Sequence, residues 1–133
     1  MIARALAFAV LSAALIPAYA DEPKPRGPQF QRDLPNIPGK KIFTVVVEYP
    51  PGGKTPSHRH APSAFIYAYV LSGSIRSKVD DGPARVYEEG EDFFEEPGAH
   101  HVVSENASKT RPAKMLAVFI VNAGEPLTTI DPK

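Results

Sequence analysis

Cysteine and tryptophan are absent from these 133 residues, and methionine occurs twice. Without cysteine no disulfide can staple the fold, and thiolate sites for zinc or iron–sulfur clusters are excluded. Basic and acidic residues balance at 15 each, for a formal net charge of zero. No basic stripe runs along the chain, so nucleic acid is not an expected partner. After residue 20 no apolar run approaches the roughly 20 residues that a membrane-spanning helix needs. No segment beyond that point sustains a helical apolar period either, which argues against a helical bundle. Histidine is scarce as well. The chain has four, and all fall in two short glycine-bounded clusters. One is Gly52-Gly53-Lys54-Thr55-Pro56-Ser57-His58-Arg59-His60. The other runs from Gly90-Glu91-Asp92 through Glu95-Glu96-Pro97-Gly98 to Ala99-His100-His101.

What is present begins with a leader. Met1 to Arg4 carries one positive charge, Ala5 to Ile16 is apolar apart from Ser12, and Pro17-Ala18-Tyr19-Ala20 supplies a small-x-small site. This is the pattern of a secretory signal peptide over residues 1–20, cleaved before Asp21. Secretion is therefore expected, with a Gram-negative periplasm as the compartment and no membrane span once the leader is removed. Residues 21–40 hold Pro23, Pro25, Pro28, Pro35 and Pro38 and show no period, so they read as an extended lead-in. Such a lead-in can still lay one short segment against the domain.

From Lys41 the texture changes. Ile42 to Tyr49 is β-branched and aromatic and predicts a strand, stopped by Pro50-Pro51-Gly52-Gly53. Further short strands are predicted over Ala64–Leu71, Ser74–Val79, Ala84–Tyr87, Asp92–Glu95, His101–Ser104 and Ala113–Val121, with glycine, proline, asparagine and aspartate turns between them. Many short strands with such turns point to an all-β sandwich or barrel over residues 41–122. Residues 123–133 return to turn-rich composition and read as a tail.

Neutral imidazole is the commonest protein ligand for a transition metal. In a strand, residues two apart share a face, so His58 and His60 project to one side and Arg59 to the other. His100 and His101 are neighbours, so an extended backbone sends one of them to that site and the other elsewhere. Either cluster taken alone is compatible with solvated surface histidines. Together, on one small β-domain, they point to a single metal site.

The residues then resemble a known family. Gly52, five residues, His58-x-His60 and a later Gly73 are similar to the first motif of the cupins. Gly90, Gly98 and His101 resemble the second, with Glu96 where proline is usual, Pro97 one place late, and Asn106 one place late. The resemblance implies a small single-domain double-stranded β-helix barrel of the jelly-roll type. It also implies that His58, His60 and His101, rather than His100, are the metal ligands. One departure stands out: the first motif normally carries a glutamate ligand seven residues before its closing glycine, and that position here is Ile66. Phe65 and Tyr67 beside it supply no carboxylate. The chain therefore looks like a three-histidine variant, a form found among cupin dioxygenases.

The remaining candidates have bland readings beside sharp ones. Phe65, Tyr67, Tyr69, Phe93, Phe94 and Phe119 are expected to pack the core and barrel, with one or two free to line a substrate pocket. If Ile66 faces the cavity, Ala68 and Val70 do too, and Tyr67 and Tyr69 face the opposite way. The acidic run Glu88 to Glu96 reads as a surface turn and edge strand; its sharper reading makes Glu95 or Glu96 a fourth ligand or proton acceptor. Glu48 could reach the site from a neighbouring strand. The reading as a whole is an exported cupin with one divalent first-row metal. Fe(II) suits dioxygen chemistry, and Zn, Mn, Ni and Cu fit the same donors. The expected activity is a dioxygenase-type oxidoreductase acting on a small organic substrate; the alternative is a binding module for a small molecule or the metal itself. A metal-free structural barrel is the bland counterpart to both. The resemblance also implies pairing as a homodimer.

Overall fold

The computed structural model describes residues 29–133; the expected leader and most of the proline-rich lead-in lie outside the described residues. No helix occurs among the described residues, and the elements are all strands. In chain order they are β1 Phe30–Asp33, β2 Lys40–Tyr49, β3 Lys54–Thr55, β4 His58–His60, β5 Phe65–Ser72, β6 Ser74–Val79, β7 Arg85–Glu88, β8 Asp92–Glu95, β9 His100–Asn106, β10 Ala113–Asn122 and β11 Thr128–Ile130. One sheet runs in the order β1-β2-β10-β5-β8; the other runs β11-β4-β9-β6-β7, with β3 also paired to β9. Every pairing is antiparallel. The chain is an all-β, single-domain barrel of two facing sheets.

Alternation builds the interior. Along β10, Ala113, Met115, Ala117, Phe119 and Val121 are buried, while the residues between them lean outward. Burying side chains as large as Met115, Phe119 and Val121 stabilises the fold by ~1.5–3 kcal/mol each. They meet Ile66, Ala68 and Val70 of β5, Ile75 of β6 and Phe93 of β8 in two adjoining apolar clusters. Of the buried alanines, Ala68 and Ala117 line the cavity inside the barrel.

Two elements come from outside residues 41–122. β1 pairs with β2, so the lead-in does lay a short strand on the domain. β11, in the segment read as a tail, pairs with β4. The extended histidine segment is β4 itself. The aromatic residues divide, which corrects the expectation that they pack the core. Phe93 and Phe119 are buried, but Phe65, Tyr67 and Phe94 are exposed, and Phe65 stacks on Phe94 at 6.0 Å on the outside of the barrel. Strand parity is the reason: Ile66 and Phe93 take the inward places, so their neighbours face out.

Gly73 joins β5 to β6 with φ +71°, and a Cβ built there would lie 2.6 Å from the Pro112 carbonyl oxygen. Gly39 also has a positive φ, of +79°, but open space around it. Gly73→Ala is therefore expected to cost more than Gly39→Ala. The first combines left-handed backbone strain with a backbone clash, at least ~2–4 kcal/mol; the second carries only the strain of ~1–2 kcal/mol. Urea unfolding of the two variants checks the difference.

Candidate metal centre

β4 sends His58 and His60 inward and Arg59 outward, as alternation requires. β9 lies beside it with His101 opposite His58 and His100 opposite Arg59. His101 and Ser104 are both buried although they are three residues apart. A register shift between β6 and β9 at Lys78/Val79 makes this possible, since a bulge resets the alternation. His58, His60 and His101 are each at most 7% exposed, with one ligand-capable atom apiece lying within 4.8 Å of the others. Donors at ~2.1 Å from one ion and roughly 90–110° apart are about 3.0–3.5 Å from each other, so a pair near the outer limit of that separation would close by about 1 Å or more on binding.

Each imidazole is anchored through one nitrogen. His58 Nδ1–H donates to the Pro56 carbonyl at 2.7 Å, and His60 Nδ1–H donates to the Leu127 carbonyl at 3.0 Å. A carbonyl only accepts, so in the neutral ring Nε2 carries the lone pair. His101 Nε2 lies 2.8 Å from Ser77 Oγ, which leaves Nδ1 to face the centre. Such anchors fix ring orientation and choose the ligating nitrogen.

A fourth side chain completes the centre. Glu95, on β8 of the facing sheet, is 3% exposed. Its Oε1 lies 3.1 Å from His101 Nδ1 and its Oε2 lies 3.2 Å from His60 Nε2. His60 Nε2 and Glu95 Oε2 are nonetheless buried without a well-aligned hydrogen bond. Two lone-pair acceptors confronting each other out of water need a positive charge between them, either a proton or a metal ion. The residues therefore fit a cation, with imidazole and carboxylate donors suited to a divalent first-row metal.

Electrostatics agrees. Burial pushes His58 below the usual histidine value, and the neighbouring imidazoles reinforce this, so it is neutral and ready to ligate. Burial also pushes against the charged form of His60, but Glu95 more than offsets it and the net shift is upward. Burial opposes ionisation of Glu95 too, yet its contacts with His101 and His60 bring it down to about 2. Tyr49 is held above the ordinary phenol value mainly by burial, and its hydroxyl is engaged at 2.8 Å by both Thr55 and Ser104.

The other candidates lie elsewhere. His100 faces outward, with Nε2 2.6 Å from Asp131 and 3.0 Å from Ser57, and pins the segment after β11 to β4 and β9. Arg59 lies on that outer face, with a guanidinium nitrogen 3.4 Å from His100 Nδ1. Glu48 forms an ion pair with Lys114 at 3.1 Å, away from the centre. Glu88, Glu89, Glu91, Asp92 and Glu96 are exposed; within the acidic run only Glu95 turns inward. Asn106 is structural: its amide donates to the Pro50 and Arg111 carbonyls. Sequence reasoning did not single out Ser77, Ser104 or Leu127.

The centre sits at the wall of a cavity of about 400 Å³. Val45, Val47, Ile66, Ala68, Met115, Ala117 and Phe119 form its apolar side, and no lysine or arginine among the described residues lines it. The cupin domain family matches residues 45–119, more than half of the chain, and the chain belongs to that family. No curated protein matches it by sequence. Among solved structures it is similar to an oxalate oxidase in complex with glycolate, at 27% identity over 67% of this chain and 45% of that one, with a TM-score of 0.57. It is similar to a DMSP lyase from Ruegeria pomeroyi at 25% identity over 67% of this chain and 42% of that one, with a TM-score of 0.54. A Klebsiella pneumoniae protein with a double-stranded β-helix domain, at 20% identity, covers 84% of this chain and 86% of its own with a TM-score of 0.63, a likeness of fold. The chain spans less than half the length of the oxidase and lyase chains that it matches.

In chelator-treated protein the Glu95 pair should show a stability window. The depressed Glu95 value contributes above the unfolded value of 4.5 and is lost as pH falls toward about 2. The raised His60 value contributes below 6.5 and is lost as pH rises through it. Glu95→Gln is therefore expected to cost most between those limits, by roughly 2–4 kcal/mol, and less on either side. Urea unfolding of both proteins across pH checks it.

Proposed function

We propose that this chain is an exported cupin that holds one divalent metal through His58, His60 and His101 and oxidises a small organic molecule with dioxygen. The observation that carries it is the convergence of three buried imidazoles, each anchored through its other nitrogen, on an apolar cavity. Bound iron(II) would supply the redox chemistry that an organic substrate and dioxygen cannot begin by themselves. The chain supplies the rest. Pro56, Leu127 and Ser77 fix the orientation of the rings and choose the nitrogen each presents to the centre. Ile66, Ala68, Met115 and Ala117 exclude water and orient the organic body. As a dioxygenase reaction it puts both oxygen atoms into product and takes every electron from the substrate.

The cavity supports one substrate class. Among the described residues its only charged groups belong to the proposed metal centre, and no lysine or arginine lines it. A second substrate charge would be buried without a partner, which is costly. The substrate is thus a small molecule with one polar or singly charged end and an apolar body. The likeness to an oxalate oxidase holding glycolate supports a small organic acid or hydroxy compound at such a centre.

A second reading, a binding module without turnover, is favoured by one observation. Among the described residues Glu95 is the only carboxylate lining the cavity, and the Tyr49 hydroxyl is already engaged. The two readings part in one experiment. Protein purified without chelator should carry near one equivalent of metal by elemental mass spectrometry. Any one of His58→Ala, His60→Ala and His101→Ala should reduce this to under about a tenth. Iron-loaded protein should then consume one dioxygen per substrate in a screen of small diketones, phenolic acids and glycolate. A ligand that binds and is recovered unchanged after long aerobic incubation would assign the binding module. Metal content that ignores all three alanine changes would sink both.

A further inference from the structure

Glu95 is buried in the centre but serves as none of the three histidine anchors. We propose that Glu95 is the fourth metal ligand, a carboxylate delivered from β8 where the cupin resemblance places one on β5. This rests on the metal reading above and adds a donor to it.

The register carries the first part of the argument. Ile66 of β5 pairs directly with Glu95 of β8. Both side chains point into the barrel, at 1% and 3% exposure. Directly opposed residues on one face of a sheet have Cβ atoms only ~4.5–5.5 Å apart. A glutamate at 95 therefore reaches the space that one at 66 would serve. The apolar residue has moved to one strand and the carboxylate to its neighbour.

Orientation carries the second part. A carboxylate that only orients a ligating histidine meets the nitrogen that does not bind metal. Here those nitrogens are taken by the Pro56 carbonyl, the Leu127 carbonyl and Ser77 Oγ. Glu95 instead faces the remaining nitrogens, His60 Nε2 and His101 Nδ1, at 3.2 and 3.1 Å. Two donors held at ~2.0–2.2 Å on one ion, roughly 90–110° apart, are separated by about 3.0–3.5 Å. Both contacts fall in that range. The unsatisfied pair, His60 Nε2 and Glu95 Oε2, marks the place where the cation would join them.

Cobalt(II) titration of the folded chain tests this, because its visible absorption reports the donor set as well as the affinity. Glu95→Gln is expected to weaken Co(II) and Zn(II) by about a hundredfold or more and to change the Co(II) band. Ile66→Glu combined with Glu95→Gln, which returns the carboxylate to β5, should recover affinity to within about tenfold of the original. Glu95→Gln that binds both metals with unchanged affinity and an unchanged Co(II) band would overturn the proposal. So would a folded double variant that recovers nothing. If Glu95→Gln fails to fold, the double variant decides alone, with circular dichroism as the check on folding. An unsubstituted chain that binds neither metal would instead remove the metal reading on which this ligand depends.

Discussion

Three imidazoles and a carboxylate cannot share a dry space on their own terms. Ionised Glu95 carries a negative charge that burial penalises, and the nitrogens facing it bring lone pairs unless something positive intervenes. The barrel nevertheless holds these groups within about 3 Å of one another at two points. Much of the local structure follows from maintaining that arrangement. The bulge in β9 at Val102 puts His101 on the inner face. The Pro56 and Leu127 carbonyls each take one ring proton and leave the second nitrogen for the centre. The donors also come from two sheets, imidazoles from β4 and β9 and the carboxylate from β8, so a cation here ties the halves of the barrel together.

The C-terminal segment is part of this construction. β11 pairs with β4, and the Leu127 carbonyl just before it holds His60. On the outer surface, His100, Ser57 and Asp131 fasten the same segment. Adjacent histidines thus do opposite jobs from opposite faces of one strand. His101 joins the centre, while His100 secures the strand that supports it.

Much of this was legible in the sequence, and the illegible part has physical causes. The two histidine clusters, the short strands and the turns between them were readable because alternation and glycine placement are local signals. Parity placed Arg59 outside and Ile66, Ala68 and Val70 inside. The same rule applied to β8 puts Glu95 with buried Phe93 and Glu96 with exposed Phe94. Composition hid this, because six acidic side chains in nine residues read as solvated surface. The bulge, the β3 pairing and the β11 pairing depend on contacts far apart in sequence, and no local pattern announces them. The aromatic residues misled for a related reason. Bulk alone suggests a core, whereas parity decides which face of β5 and β8 each ring occupies.

The cavity wall limits what the proposed site could recognise. It is built from valine, isoleucine, alanine, methionine and phenylalanine, and among the described residues it lacks any lysine or arginine. Charge recognition can therefore come only from the metal end. A divalent ion held by three neutral imidazoles keeps two positive charges; with an ionised Glu95 beside it, one remains. A ligand bringing a single negative charge leaves the buried site neutral, whereas a dianion leaves an uncompensated charge in an apolar pocket. Under the proposed ligation, Glu95 would act on selectivity as well as on metal retention. By lowering the charge of the centre, it would shift the preferred ligand from a doubly charged acid toward a singly charged one with an apolar body.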